Sequence, residues 1–213
     1  MGKLIVLEGI DGSGKSTQLT RLTKRLEREG LAFQTVRFPR YDADSSVLVR
    51  QYLAGDFGTR PGDVNAFAAS ALFAVDRFSS YKTEPWGAFY DAGGLVLTDR
   101  YTTSNAIHQG AKLAPSARVE YFRWLYEFEF SQMRLPKPDL VLYHKITSAQ
   151  SLARIKSREG SEDIHERDSD YLASCAECAD EAAAALGWIS VEAARDELAI
   201  HEEIYSIVRR ELR

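Results

Sequence analysis

Short apolar runs alternate along this chain with longer segments whose apolar residues recur at helical spacing. The first run is Leu4 to Leu7, and behind it Leu19, Leu22 and Leu26 fall on one helical stripe. Further strands are predicted at Ala32 to Phe38, Gly94 to Thr98, Pro138 to Ile146 and Trp188 to Val191. Helices are predicted at Gly14 to Glu29, Ser45 to Leu53, Pro61 to Tyr81 and Thr102 to Ala111. Four more are predicted at Ser116 to Met133, Ser148 to Ser157, Asp168 to Leu186 and Arg195 to Glu211. Strands that alternate with helices predict an α/β fold with a five-stranded parallel sheet covered on both faces. In such a sheet ligands gather outside the carboxyl ends of the strands, so the residues just after each strand carry the chemistry.

The first strand end is Gly9-Ile10-Asp11-Gly12-Ser13-Gly14-Lys15-Ser16-Thr17, which matches G-x-x-x-x-G-K-[ST] between a strand and a helix. Backbone N–H groups of such a loop turn inward while the following helix aims its N-terminus at the same point, which makes a phosphate site. The expected ligand is a nucleoside triphosphate, with Lys15 reaching its β- and γ-phosphates and the Ser16 hydroxyl ligating Mg²⁺. The architecture is therefore a P-loop NTPase fold, read as a single kinase domain over 1–213 with a short lid at about 148–168.

Bulk properties narrow the setting. The 213 residues, 45% hydrophobic, suffice for one sizeable core. A net charge of −4, from 27 basic and 31 acidic side chains, argues against coating nucleic acid or a polybasic membrane role. With no apolar run long enough to span a bilayer and no signal-like start, the expected location is cytoplasmic. Cys175 and Cys178 form a C-x-x-C inside an alanine-rich helix without a second ligand pair, and are expected to be small packed residues.

Three later strand ends and helices supply further candidates. Phe38-Pro39-Arg40-Tyr41 follows the second strand, where Arg40 is either a bidentate phosphate ligand or a solvated loop arginine. In the third helix Val64, Phe67, Ala68, Ala71, Leu72 and Val75 form an apolar stripe expected to face the core. Phe73 lies nearly opposite, with Arg77 one turn on. That pair could stack on a flat base and donate to a carbonyl at its edge, or pack on another helix or subunit. Asp99 ends the third strand at the Walker B position, a Mg²⁺ ligand direct or through water, and Arg100 beside it could neutralise phosphate charge. Ser104 and His108 share a helical face, with Asn105 and Gln109 beside them, as polar groups for a sugar or base.

These motifs together resemble the thymidylate kinases, which phosphorylate dTMP to dTDP with ATP. The resemblance also covers Leu72-Phe73-Ala74-Val75-Asp76-Arg77, Asp99-Arg100-Tyr101, Gln109-Gly110 and Leu135-Pro136-Lys137-Pro138-Asp139-Leu140. It implies that Phe73 stacks on thymine, that Arg77 binds its carbonyl edge, and that Arg40 and Arg100 hold the dTMP phosphate. It further implies that Asp11 lies near the 3′-hydroxyl and Asn105 near the base, and that Phe38 and Leu53 shape the pocket around the methyl group. The full ATP set is Gly9 to Thr17, and the dTMP set adds Ser104, His108 and Gln109. Gly12 follows Asp11 where some relatives have a loop arginine, so the missing cation is expected in Arg154-Ile155-Lys156-Ser157-Arg158-Glu159. Arg158 is the first choice, with Lys156 and Arg167 as alternatives, and the catalytic set is Lys15, Arg100, Arg158 and Asp11. The chain departs from the pattern at His144-Lys145, where relatives commonly have an aspartate at the strand end. It departs again at His108, where they often carry a tyrosine associated with rejecting a ribose 2′-hydroxyl. Aromatic residues at Tyr121, Phe122, Trp124, Tyr126, Phe128 and Phe130 exceed what one core face needs, and the resemblance implies a homodimer. A deoxynucleoside kinase would want a carboxylate base soon after the second strand, where Phe38-Pro39-Arg40 stands instead. A nucleotide switch would want a guanine-reading N-K-x-D, which the sequence lacks.

Overall fold

The computed structural model of the chain describes residues 2–156 and 169–213. Its sheet has strands β1 (Lys3–Glu8), β2 (Phe33–Arg37), β3 (Leu95–Asp99), β4 (Leu140–Lys145) and β5 (Ile189–Glu192). They are hydrogen-bonded in the order β2-β3-β1-β4-β5, and every pairing is parallel. Central β1 is flanked on both sides, which is why Leu4 to Leu7 form an unbroken apolar run with no exposed surface. Edge strand β5 buries Val191 and exposes its neighbours, so its hydrophobic signal is weaker.

The helices are α1 (Lys15–Arg28), α2 (Val47–Ala54), α3 (Ala66–Thr83), α4 (Pro85–Asp91), α5 (Thr102–His108), α6 (Pro115–Tyr126), α7 (Ser148–Lys156), α8 (Ser169–Leu186) and α9 (Glu197–Glu211). Helices α1 and α9 pack together on the sheet, and α5, α6 and α8 form a second packed group. Leu22 and Leu26 of α1 and Ile200, Ile204 and Val208 of α9 are buried in one core with the strands. Burial of each such side chain contributes roughly 1.5–3 kcal/mol. Cys175 and Cys178 of α8 are buried free thiols. Among the described residues no helix is long and apolar enough to cross a membrane.

Three features differ from the sequence expectations. Helix α4 was not foreseen; it begins at Pro85, a favoured first helical position, and Gly87 packs where a Cβ would lie 1.9 Å from the Tyr81 carbonyl oxygen. In α3 the expected core stripe is met only in part. Val64 and Leu72 pack against the cluster of Val49, Tyr52, Leu53 and Ala69, but Phe67 and Val75 are 44% and 51% exposed, while Ala66, Ala69, Ser70, Ala74 and Arg77 are buried. The buried face is made largely of small and polar residues because it approaches α2, α5 and the site closely, so apolar periodicity alone does not locate it. Third, the predicted helix Ser116 to Met133 ends as an α-helix at Tyr126 and widens into a π-helical turn, Glu127–Gln132.

That turn delivers Glu129 to the interior with no exposed surface. Its carboxylate accepts from Arg77 Nε at 2.7 Å and Nη2 at 2.5 Å, from Thr102 Oγ1 at 2.6 Å and from Asn105 Nδ2 at 3.3 Å. A buried pair this well satisfied fixes orientation, and removing one partner leaves an uncompensated charge costing about 3–5 kcal/mol. Glu129→Ala is therefore expected to destabilise the protein by about 3–5 kcal/mol in urea unfolding. The double replacement Arg77→Met with Glu129→Met should lose less than the single one; a larger loss in the double variant would contradict the ion-pair account.

Candidate active site

The loop between β1 and α1 turns back through left-handed backbone at Gly12 (φ 73°) and Gly14 (φ 85°), which glycine adopts without a Cβ penalty. Ser13 N donates to Ile10 O at 3.2 Å and closes the turn. Lys15 follows directly and is buried, its Nζ donating to Ile10 O at 3.3 Å. Burial, and next the Arg100 guanidinium, push the Lys15 ammonium below its ordinary pKa, which primes it to gain from an added anion. Ser16 Oγ donates to Asp99 Oδ2 at 2.5 Å, so the loop hydroxyl and the acid of β3 meet as the motif predicts. The other oxygen, Asp99 Oδ1, is buried and accepts no hydrogen bond from the described residues. A paired hydroxyl and a bare carboxylate oxygen at a phosphate loop fit a hard divalent cation such as Mg²⁺.

Beside this loop lies Arg100, a non-glycine residue at φ 68°. Such a backbone costs on the order of 1–3 kcal/mol and persists where surroundings over-determine it. Here Arg100 N donates to Leu7 O at 3.2 Å and Thr98 Oγ1 donates to Arg100 O at 2.7 Å. Its guanidinium pairs with Asp11, approaches Glu8 at 3.9 Å, and contacts Ser104 Oγ at 3.4 Å and His108 Nε2 at 3.1 Å. Burial acts to lower the Arg100 pKa, but Asp11, Glu8 and Asp99 outweigh it and raise it. Glu8 is fully buried and was missed in the sequence, although an acid closing an apolar strand against the loop was its signal. It accepts from Gly9 N at 2.8 Å, Thr103 Oγ1 at 2.6 Å and Ser104 Oγ at 2.7 Å, tying the loop to α5.

A cleft of about 950 Å³ runs past both groups. Its lining includes Phe38, Leu53, Phe73, Arg77, Arg100, Ser104, Asn105, His108 and Gln109, so most of the residues expected around dTMP converge on it. Phe73 stands edge-to-face with Tyr52, ring centres 6.0 Å apart, and also lines the cleft. Tyr41 and Tyr101 line the cleft as well and were not foreseen. Arg40 is the exception: it does not line the cleft. Its guanidinium is held by Asp76 at 3.2 Å, by Glu84, and by Ser45 Oγ at 2.6 Å, where it braces the strand end against α3. A local proline-arginine pattern could not reveal those two acids, which lie 36 and 44 positions downstream.

The same cleft is also lined by the loop residues through Gln18 together with His144, Arg154, Ala193, Arg195 and Ile200. Arg154 of α7 donates to Gly12 O and to Ala193 O, each at 3.0 Å, clamping the phosphate loop to the segment after β5. Arg158 and Arg167 lie outside the described residues, as does the side chain of Lys156. His144 is fully buried, and neither ring nitrogen meets a hydrogen-bond partner among the described residues. The cleft thus joins the phosphate loop to the wall that carries Phe73, Asn105 and Arg100, with Lys15, Asp11 and Arg100 all on its lining, which suits two phosphorylated ligands held together.

Comparison with known sequences gives the same direction. The sequence model of the family described as "Thymidylate kinase" matches residues 7–204. A "Thymidylate kinase" of Mycobacterium tuberculosis is 32% identical over 174 residues, covering 78% of this chain and 79% of that protein. A "Probable thymidylate kinase" of Pyrobaculum calidifontis is 30% identical over 206 residues, 97% of this chain and 95% of the relative. The human "Thymidylate kinase" is 31% identical over 155 residues, 72% of this chain and 65% of the human one.

The buried imidazole supplies a stability test. Burial, then Lys15, pushes His144 down from 6.5 to about 4. The folded state holds it neutral, so its contribution is present above pH 6.5 and is lost as pH falls through about 4. Between pH 7 and pH 4 this amounts to about 3 kcal/mol. His144→Leu should reduce the acid destabilisation measured by urea unfolding by that amount, and an unchanged difference between the two pH values would contradict this assignment.

Proposed function

The chain belongs to the thymidylate kinase family, and on that premise we propose how its own residues carry the family's reaction. The reaction is phosphoryl transfer from ATP to dTMP, giving dTDP and ADP. The observation that carries the reading is one continuous cleft that is lined both by the phosphate loop with Lys15 and by Phe38, Phe73, Asn105 and Arg100, with Arg100 paired to Asp11 of the loop.

In this reading ATP lies along residues 9–17, with backbone N–H groups and Lys15 on its β- and γ-phosphates. The part of the cleft around Phe73 takes dTMP. Phe73 stacks on the base, Arg77 and Asn105 face its polar edge, Phe38 and Leu53 enclose the methyl group, and Ser104, His108 and Gln109 line the sugar side. Arg100 holds the acceptor phosphate in line with the γ-phosphoryl group, and Asp11, already paired to it, orients its guanidinium and meets the 3′-hydroxyl. Arg77 keeps its fork on Glu129, so only its outer edge serves the base. Arg40 acts by bracing the strand end. An acceptor phosphate is already nucleophilic near neutral pH, so transfer is direct, with no covalent enzyme intermediate and no strong general base. Ser16 and Asp99 would hold Mg²⁺, which would supply charge neutralisation to the phosphates. A lid within 148–168 carrying Arg158 would supply the remaining cation and exclude water. The whole of 1–213 acts as one kinase domain. Its exposed apolar residues Phe67, Val75 and Phe78 on α3, with Phe67 against Trp124, support a two-fold homodimer, and its two buried free thiols suit the reducing cytoplasm.

The test is ADP release with MgATP and, in parallel, dTMP, dUMP, UMP, AMP and thymidine. Strong preference for dTMP is expected. Turnover of thymidine but not dTMP would overturn the Arg100 assignment. Two variants sharpen it. Lys15→Ala should lower kcat by about 10²–10³-fold. Phe73→Ala should raise the KM for dTMP about tenfold, the worth of one stacked base, with kcat little changed. A fall in kcat at unchanged KM would contradict the stacking role.

A further inference from the structure

We propose that His108 is a positioning residue for Arg100: its neutral imidazole, fixed by α8, accepts a hydrogen bond from the guanidinium and holds it toward the acceptor phosphate. This goes beyond the function proposed above and rests on it. An arginine carries only donors, so the 3.1 Å contact between Arg100 Nη1 and His108 Nε2 requires Nε2 to present its lone pair. The ring proton then sits on Nδ1, which lies 3.6 Å from Cys175 Sγ. Burial pushes the Cys175 thiol up, so the sulfur is an uncharged partner. Tyr171, one turn before Cys175 on α8, donates its hydroxyl to the His108 carbonyl oxygen. Helix α8 therefore grips His108 at its backbone and at its ring, and the ring grips Arg100.

The same geometry makes the contact sensitive to protonation. A proton on Nε2 removes the acceptor and sets a second cation against the guanidinium. The charged groups around this pair act through Arg100 or lie beyond the ring. Asp11 is paired to Arg100, Glu8 accepts from Gly9, Thr103 and Ser104, Asp99 and Lys15 act on the guanidinium from the β3 end and the loop, Cys175 and Cys178 are thiols, and Lys112 beyond Cys175 adds positive charge.

Two measurements decide the matter. In the ligand-free full-length protein, ring nitrogen NMR shifts of His108, assigned by loss of signal in His108→Gln, should report Nδ1–H with bare Nε2; the opposite tautomer would overturn the proposal. In steady-state kinetics, His108→Phe should raise the KM for dTMP about tenfold and leave the KM for ATP unchanged. His108→Gln, whose amide oxygen can still accept, should recover most of that loss. Phosphate ionisation of dTMP is common to all variants, so kcat/KM for dTMP in the natural protein divided by that of His108→Gln should fall as pH drops through the imidazole range. A flat ratio, or equal losses in Phe and Gln variants, would overturn the positioning role. Absence of dTMP turnover in the natural protein would instead sink the functional reading, while the tautomer still decides the hydrogen bond.

Discussion

Charge brought out of water and paired at one place governs this molecule. Glu8, Asp11, Lys15, Asp99 and Arg100 all stand at the carboxyl ends of β1 and β3, and most of their surface is buried. Isolated ions there would each cost several kcal/mol, so each must be paired or hydrogen-bonded. Asp11 pairs with Arg100, Glu8 gathers three donors from the loop and α5, and Ser16 caps one oxygen of Asp99. What is left over defines the ligand. Among the described residues Lys15 finds only a 3.3 Å carbonyl contact, and its pKa is lowered, so a phosphate would be stabilised there more than a neutral group.

A second buried pair, Arg77 with Glu129, fixes one arginine of the cleft wall as Asp11 fixes Arg100. The π-helical turn after α6 is the device that makes it, since a continuous α-helix would shift Glu129 around the axis. Both pairs put a rigid arginine on the cleft wall, and rigidity there favours orientation over raw affinity. Arg40 completes the pattern: a third arginine, locked by Asp76 and Glu84, keeps the β2 strand end against α3.

How much of this the sequence revealed follows from the range of each signal. The five strands and the phosphate loop are local patterns, and every predicted strand overlaps its observed counterpart. Pairing of Ser16 with Asp99 was legible because the loop and the strand end are each diagnostic and the sheet brings them together. What escaped depends on long-range partners. The inward face of α3 was legible only in part because it is made largely of small and polar residues. The locked state of Arg40 depends on acids far along the chain, and Glu129 was hidden in an aromatic run whose helical type changes within it. His144 and His108 stood out as departures from relatives, but only the folded structure reveals that one is buried with no hydrogen-bond partner among the described residues and the other bridges Arg100 to α8.

The central claim is that the paired charge around Arg100 and Lys15 is completed by the phosphate of the acceptor as well as by ATP. Thermal unfolding of the natural protein titrated with dTMP and, separately, with thymidine isolates that phosphate, because the two ligands share base and sugar. The account predicts a concentration-dependent rise in Tm with dTMP and little or none with thymidine, since a ligand that binds the folded state stabilises it in proportion to its affinity. Equal shifts for the two ligands would contradict it.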